Sequence, residues 1–300
     1  MNIAIKKVLF IVNKFSGPGY QQDLEDNIID ECARQNIECR IEFTTGRGHA
    51  TELARNLVTD KSADLVVAVG GDGTVNEVAS GLLHSSVPMG IIPKGSGNGL
   101  ARHLGIPMKM RAALKVLFES QLIAMDAFKI NDRLSLNISG IGFDGHVANL
   151  FAGNVKRGLK GYAKVTLNEF MSFKEFEADI IQESSTVKRK AFVIAVANSS
   201  QYGNNARIAP AASVCDGILH VCFLKKVPPY RLDFIYNFFN GSIRNSSFCE
   251  FIETKDLEIR VDKPVAFHID GEPCGVDTHF KIQMMPQSLR VFVPKTSLKY

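Results

Sequence analysis

Two short glycine-rich stretches hold the residues best suited to chemistry. Gly70-Gly71-Asp72-Gly73-Thr74-Val75-Asn76-Glu77 follows the apolar run Leu65–Val69, and Pro93-Lys94-Gly95-Ser96-Gly97-Asn98 follows Met89–Ile92. Glycine permits positive φ and lets a backbone approach a ligand closely. A helix that starts at such a turn presents orphan N–H groups and the positive end of its dipole, which suits phosphate oxygens. Asp72 is costly beside a phosphate unless it holds Mg2+, accepts a proton or contacts a hydroxyl; taken without a ligand, it caps a helix after an ordinary turn. Two such turns on consecutive strands form a cradle long enough for a triphosphate, with Ser96 and Asn98 as hydroxyl and amide donors. Neither turn has the P-loop pattern, and neither has G-x-G-x-x-G, so a dinucleotide site is weakly supported. A third stretch, Asp270-Gly271-Glu272, brings two carboxylates together but by itself reads as a hairpin turn after Val265–Ile269.

The elements that must position these turns are legible in the hydrophobic pattern. Strands are predicted over Lys7–Val12, Ile37–Phe43, Asp64–Val69 and Met89–Ile92. Helices are predicted from about Tyr20 to Gln35, over His49–Val58, over Thr74–Leu83, after Asn98 and over Pro107–Phe118. Alternating helices and nearly all-apolar strands predict a parallel sheet covered on both faces, with the turns grouped at the carboxyl ends of the strands. After about Met125 strand-like segments dominate: Leu134–Ile138, Phe176–Ile181, Val187–Ala197, Ile218–Leu224, Leu257–Val261, Val265–Ile269, Phe280–Met284 and Leu289–Val293. Two helical patterns, Leu159–Phe170 and Pro229–Phe239, interrupt them. The fold class is therefore α/β plus β: an N-terminal doubly wound parallel-sheet nucleotide-binding domain over residues 1–125 and a C-terminal, mainly antiparallel β-sandwich domain over 126–285.

Composition narrows the function. The 300 residues suit two domains, and 45% hydrophobic with 22% charged residues excludes wholesale disorder. A net charge of +4 is too small to argue for nucleic-acid binding, though it suits an anionic ligand or weak contact with an acidic membrane. No apolar run reaches the ~18–20 residues of a membrane span, and the apolar stretch after Lys6 and Lys7 is too short for a secretory signal. Six scattered cysteines without C-x-x-C point to a reducing compartment, hence a cytoplasmic protein. His49, His84, His146, His220, His268 and His279 lack metal-ligand spacing and receive no role. Arg102 and His103 read as surface residues, and Phe234, Phe238 and Phe239 as core. Lys156, Arg157, Lys160 and Lys164 form a basic helix face opposite Leu159, Val165 and Leu167: a solvated surface on base rates, or a seat on anionic headgroups.

Four separated blocks resemble the diacylglycerol kinase catalytic family, the bacterial soluble lipid kinases related to sphingosine kinases. They are Gly70–Val78, Pro93–Arg102, Gly140-Ile-Gly-Phe-Asp-Gly145 and Asp270-Gly-Glu272, in matching order over nearly the whole chain. The resemblance implies an N-terminal nucleotide domain, a C-terminal acceptor domain, an active site in the cleft between them, and a last strand (Leu289–Val293, within 286–300) that returns to the first domain. It implies ATP contacts from Asn13, Ser16 and Gly17 (where the usual Asn-Pro is Asn13-Lys14), from Thr44, from Gly71 through Glu77 (Gly71, Asp72, Gly73, Thr74, Val75, Asn76, Glu77), and from Gly95, Ser96, Gly97 and Asn98. It implies a structural Mg2+ on Asp216 with backbone carbonyls near Ser213 and Ile218. Cys215 and Gly99 stand where the family often carries acids.

The implied activity is Mg2+-dependent transfer of the ATP γ-phosphate to a lipid hydroxyl, with diacylglycerol first and a sphingoid base second. The implied acceptor is a lipid reached from the inner membrane face, and a homodimer is compatible with it. Glu272 is favoured as base, supported by Asp270, with Asp72 serving metal and phosphate. Two other functions stay open: an NAD kinase-like enzyme, sharing Gly-Gly-Asp-Gly-Thr, and a catalytically silent lipid-binding regulator, for which Gly99 and Cys215 would speak.

Overall fold

The computed structural model describes residues 5–17, 23–151, 166, 168–183 and 185–295 of the chain. Two compact units result: Met1–Ala127 with Val214–Asp216 and Met285–Tyr300, and Phe128–Ser213 with Gly217–Met284.

In the first unit, β1 (Lys7–Val12), β2 (Glu38–Phe43), β3 (Leu65–Gly70) and β4 (Met89–Pro93) form a parallel sheet in the order β2-β1-β3-β4. The distal part of the last strand joins β4 in parallel through Val291 and Met89. Every residue of β3 and β4 is buried, because helices cover both faces. α1 (Leu24–Arg34) packs with α5 (Met110–Phe118), and α2 (His49–Asp60) packs with α3 (Asp72–Leu82). α3 begins two residues before the sequence pattern places it, because Gly71 is extended and serves as its N-cap. Asp72 and Gly73 therefore belong to the first turn of the helix. α4 (Gly99–His103) is a single short turn after the second glycine stretch.

The second unit is a β-sandwich. A helix not foreseen from sequence, α6 (Phe143–Phe151), grows from the Gly140–Gly145 block. β7 (Ile138–Gly142), β10 (Val193–Ala197), β11 (Leu219–Leu224) and β12 (Cys249–Thr254) pair antiparallel in the order β7-β10-β11-β12. Alternate residues face two cores: Ile194, Val196 and Val221 join Phe267 and Phe280, while Ala195, Ala197 and Cys222 join Phe192 and Ile208. β13 (Asp256–Ile269) pairs with β7, with β8 (Phe176–Gln182) and with β14 (Glu272–Val293), and β8 carries β9 (Ser185–Ala191).

Several predicted segments are cut differently. Leu257–Val261 and Val265–Ile269 are one strand, β13, whose pairing with β14 slips between Arg260 and Val265. Pro264 lies in that stretch and has no N–H to give to a ladder. Val187–Ala197 is two strands, broken at Phe192, whose ring stacks on Phe143 at 4.7 Å. Leu134–Ile138 is also two, β6 (Arg133–Ser135) and β7, preceded by the unforeseen β5 (Gln121–Ile130). The helix expected over Leu159–Phe170, and its basic face, fall mostly outside the described residues.

α7 (Leu232–Asn240) buries Phe234 but leaves Phe239 half exposed, against the expectation that all three of its phenylalanines are core. The helix has only one face on the sandwich. Phe280 is fully buried and meets Phe267 edge-on at 5.3 Å. Phe280→Ala is expected to destabilise the second unit by about 3–5 kcal/mol, read from urea unfolding.

Candidate active site

Three loops meet in the first unit where neighbouring parallel strands end: Asn13–Gly17 after β1, Gly71 and the start of α3 after β3, and Lys94–Asn98 after β4. Their backbones touch. A Cβ on Gly95 would lie 2.5 Å from the Gly71 Cα, and one on Gly17 would lie 1.9 Å from the Lys94 carbonyl oxygen. Any side chain at these two positions would push the strand ends apart.

Lys94 clamps the first loop. Its side chain is buried, and Nζ donates to the carbonyl of Ser16 at 2.7 Å, with those of Asn13 and Lys14 at 3.4 and 3.5 Å. Burial lowers its pKa, and the three carbonyl dipoles offset part of that desolvation. The residue pattern gives no sign of this role for Lys94, because the three carbonyls lie about 80 positions away in the chain. Asn13 adds a second stitch: its Nδ2 donates to Thr74 Oγ1 at 3.1 Å and its Oδ1 accepts the Phe15 N–H at 2.9 Å. Lys14 rests its ammonium 3.7 Å from the centroid of the Phe43 ring.

The second turn is held by Asn98, which is in the left-handed region at φ 51°. Its Oδ1 accepts the Gly95 N–H at 2.9 Å and its Nδ2 donates to the Gly95 carbonyl at 2.7 Å. The amide thus also braces its own turn. Arg102, read as a surface residue, donates from Nε to the Gly97 carbonyl at 3.0 Å. Ser96 is exposed at the crest of the turn.

In the first segment, Asp72-Gly73-Thr74 carries the positive end of the α3 dipole. The Asp72 carboxylate faces the second turn, with Oδ2 3.2 Å from the place a Gly97 Cβ would take. The N–H of Val75 closes the first bond onto Gly71 at 3.0 Å, and the Asn76 carbonyl accepts Ser80 Oγ. Glu77 braces a neighbouring helix. Its carboxylate accepts the N–H groups of Gly48 and Ala50 at 2.9 and 3.2 Å, capping the start of α2. That fixes the loop carrying Thr44, whose own N–H bonds the Val12 carbonyl at 2.9 Å.

In the second unit, Asp270 and Gly271 are the two-residue loop between β13 and β14, with φ 49° and 89° as a type I′ turn requires. The Asp270 carboxylate accepts from Ser135 Oγ at 2.7 Å and from the N–H groups of Leu136 and Asn137 at 2.9 and 3.0 Å. These donors lie where the chain breaks between β6 and β7. Glu272 is exposed at the first position of β14.

The residues named for a structural metal are Ser213 and Ile218, in the second unit, and Asp216, exposed in the first. Burial, with Asp126 and Asp216 close by, pushes the Cys215 thiol up to about 11, so it stays protonated. A carboxylate and backbone carbonyls are each the kind of oxygen donor that Mg2+ takes. Among the described residues no group of three or more His, Cys, Asp or Glu side chains converges on a common point.

The cradle predicts a sharp steric effect. Gly95→Ala is expected to weaken binding of a non-hydrolysable ATP analogue by roughly tenfold or more in isothermal titration calorimetry. Ser96→Ala, at the exposed crest, would remove one hydroxyl and leave the backbone contact undisturbed, so its loss of affinity should be smaller.

The two halves of the chain match two family descriptions. Residues 7–130 match the diacylglycerol kinase catalytic domain. Residues 138–293 match the YegS C-terminal NAD kinase beta sandwich-like domain. A relative from Yersinia pestis named "Probable lipid kinase YegS-like" is 26% identical over 96% of each chain. One of the same name from Pectobacterium atrosepticum is 28% identical, covering 89% of this chain and 90% of its own. A solved structure described as a diacylglycerol kinase from Bacillus anthracis shares the fold, with a TM-score of 0.76 at 21% identity, covering 99% of this chain and 100% of that one. With both units matched in order along the chain, this protein belongs to the YegS- and diacylglycerol-kinase-like family of lipid kinases.

Proposed function

We propose that this protein transfers the γ-phosphate of ATP to the hydroxyl of a membrane lipid, diacylglycerol first and a sphingoid base second, with Mg2+ as cofactor. The observation that carries the donor side is the closed three-loop cradle, Gly17 on Lys94 and Gly95 on Gly71, next to the positive end of α3. A polyphosphate lying along it would meet backbone and the helix dipole rather than bulky side chains.

Asp72 would hold the metal at the phosphates, and Asp216 with the Ser213 and Ile218 carbonyls would hold a structural one. When bound, Mg2+ neutralises phosphate charge. The rest falls to the chain itself. Lys94 and Asn13 keep the first loop shut, Asn98 keeps the second turn in shape, and Glu272 takes the proton of the attacking hydroxyl while Asp270 anchors the turn that carries it. Orientation of the two reactants can supply ~7–11 kcal/mol of the barrier, so fixed loops matter more here than a strong base.

Among the described residues no helix is long and apolar enough to cross a membrane. Access to a lipid therefore calls for a contact surface, and α7 supports one. Leu232, Ile235, Tyr236 and Phe239 are all exposed at i, i+3, i+4 and i+7, the spacing of one helix face, and Tyr230 precedes them. On this reading the enzyme works from the cytoplasm at the inner membrane face.

Asp72→Ala and Glu272→Ala should each lower phosphorylation of diacylglycerol in mixed micelles by a hundredfold or more while leaving thermal melting unchanged, in keeping with the ~10²–10⁴ typical of positioned acid–base groups. Full turnover by either variant removes that residue from the mechanism. The double variant Ile235→Glu with Tyr236→Glu should float with phosphatidylglycerol vesicles several-fold less than wild type. Equal flotation would rule out α7 as the contact.

A further inference from the structure

We infer that His268 is a positioning residue for the Asp270–Glu272 turn, acting through a hydrogen bond whose direction Asp144 fixes. His268 is only 4% exposed and sits two residues before Asp270 on β13. Its Nδ1 lies 3.0 Å from the Gly271 N–H and accepts it. A ring nitrogen that accepts a hydrogen bond carries no proton, so the proton is on Nε2. Nε2 lies 3.2 Å from Asp144 Oδ2 and donates to it.

Asp144 is itself held. Its Oδ2 also accepts the Tyr202 hydroxyl at 2.9 Å and its Oδ1 accepts the Gly145 N–H at 2.8 Å. Burial, and then Asp144, drive the Tyr202 phenol well above its usual pKa, so it remains a donor. Gly140 faces His268 across the β7–β13 ladder, and a Cβ there would lie 1.8 Å from Asp144 Oδ2. The missing side chain at Gly140 is what lets the carboxylate reach the ring.

Both residues of the turn are therefore tied. The Gly271 N–H is bound to His268, and the Asp270 carboxylate is bound to Ser135, Leu136 and Asn137. Glu272 is the next residue, and its exposed side chain starts from a backbone with little freedom to move. This inference rests on the proposed role of Glu272 as proton acceptor, and it names what aims that carboxylate. A displacement of about 1 Å at a reacting group costs on the order of a hundredfold in rate, so loss of one of the two ties should be visible in kcat.

Two substitutions separate the halves of the relay. His268→Asn can place an amide oxygen near the Nδ1 position and keep the acceptor for Gly271. His268→Gln can place an amide N–H near the Nε2 position, keeping the donor to Asp144 but leaving the Gly271 N–H without an acceptor. With ATP and diacylglycerol in mixed micelles, His268→Asn should keep kcat within about threefold of wild type. His268→Gln should lose about tenfold or more in kcat with the KM for ATP unchanged, both variants melting close to wild type. Wild-type kcat in His268→Gln, with Glu272→Gln inactive, would overturn the inference and leave the base assignment standing. Parallel loss of kcat and melting temperature in both histidine variants would make His268 merely structural and also overturn it. Wild-type turnover by Glu272→Gln would remove the base role, and this inference with it.

Discussion

The contact between Gly71 and Gly95 constrains the rest of the first unit. Two strand ends can come this close only where neither carries a Cβ, and their separation sets the width of the cradle. Once the backbones touch, the loops have no room for side chains to fill gaps, so the polar groups beside them must be satisfied locally. Asn98 does this within its own turn, Lys94 does it for three carbonyls of the first loop, and Glu77 does it for the start of α2. In the fold these polar atoms brace the loops beside the cradle and the start of a neighbouring helix. That division suits phosphoryl transfer, where a rigid, charge-complementary seat contributes more than any single reacting group.

The second unit solves a similar problem with side chains instead of glycine contacts. A two-residue type I′ turn leaves polar groups with no ladder partner, and such groups are costly to bury unmet. His268 meets one of them, its ring nitrogen accepting the Gly271 N–H, while the Asp270 carboxylate collects three donors from the break between β6 and β7. The consequence reaches back along the chain: Asp270 pins the break between β6 and β7, and Asp144 pins the start of α6. The segments carrying Ser135–Asn137, Asp144 and Tyr202 are thereby linked by hydrogen bonds to the turn that precedes Glu272.

Much of this was legible from residue types. The strand–helix alternation, the two glycine turns and the dense strands beyond Met125 all follow from local pattern, because an apolar run bounded by glycine has few other ways to satisfy its backbone. Segmentation failed where one residue overrode the pattern. Phe192 left its strand to join an aromatic cluster, and Pro264 bulged a strand that periodicity split in two. α6 went unseen because Gly145 in its first turn lowers helix propensity over a stretch that tertiary contacts nonetheless hold helical.

The sequence by itself determined the chemistry on offer: glycine turns after buried strands, a carboxylate in the first, and an acidic pair on a hairpin. What those residues do for one another was decided only by the tertiary structure. Lys94 is a clamp, Asn98 and Glu77 are braces and His268 is the partner of a turn because of atoms tens to hundreds of residues away, or of a backbone angle at one position. Hydrogen bonds have lengths and directions, and a one-dimensional string carries neither.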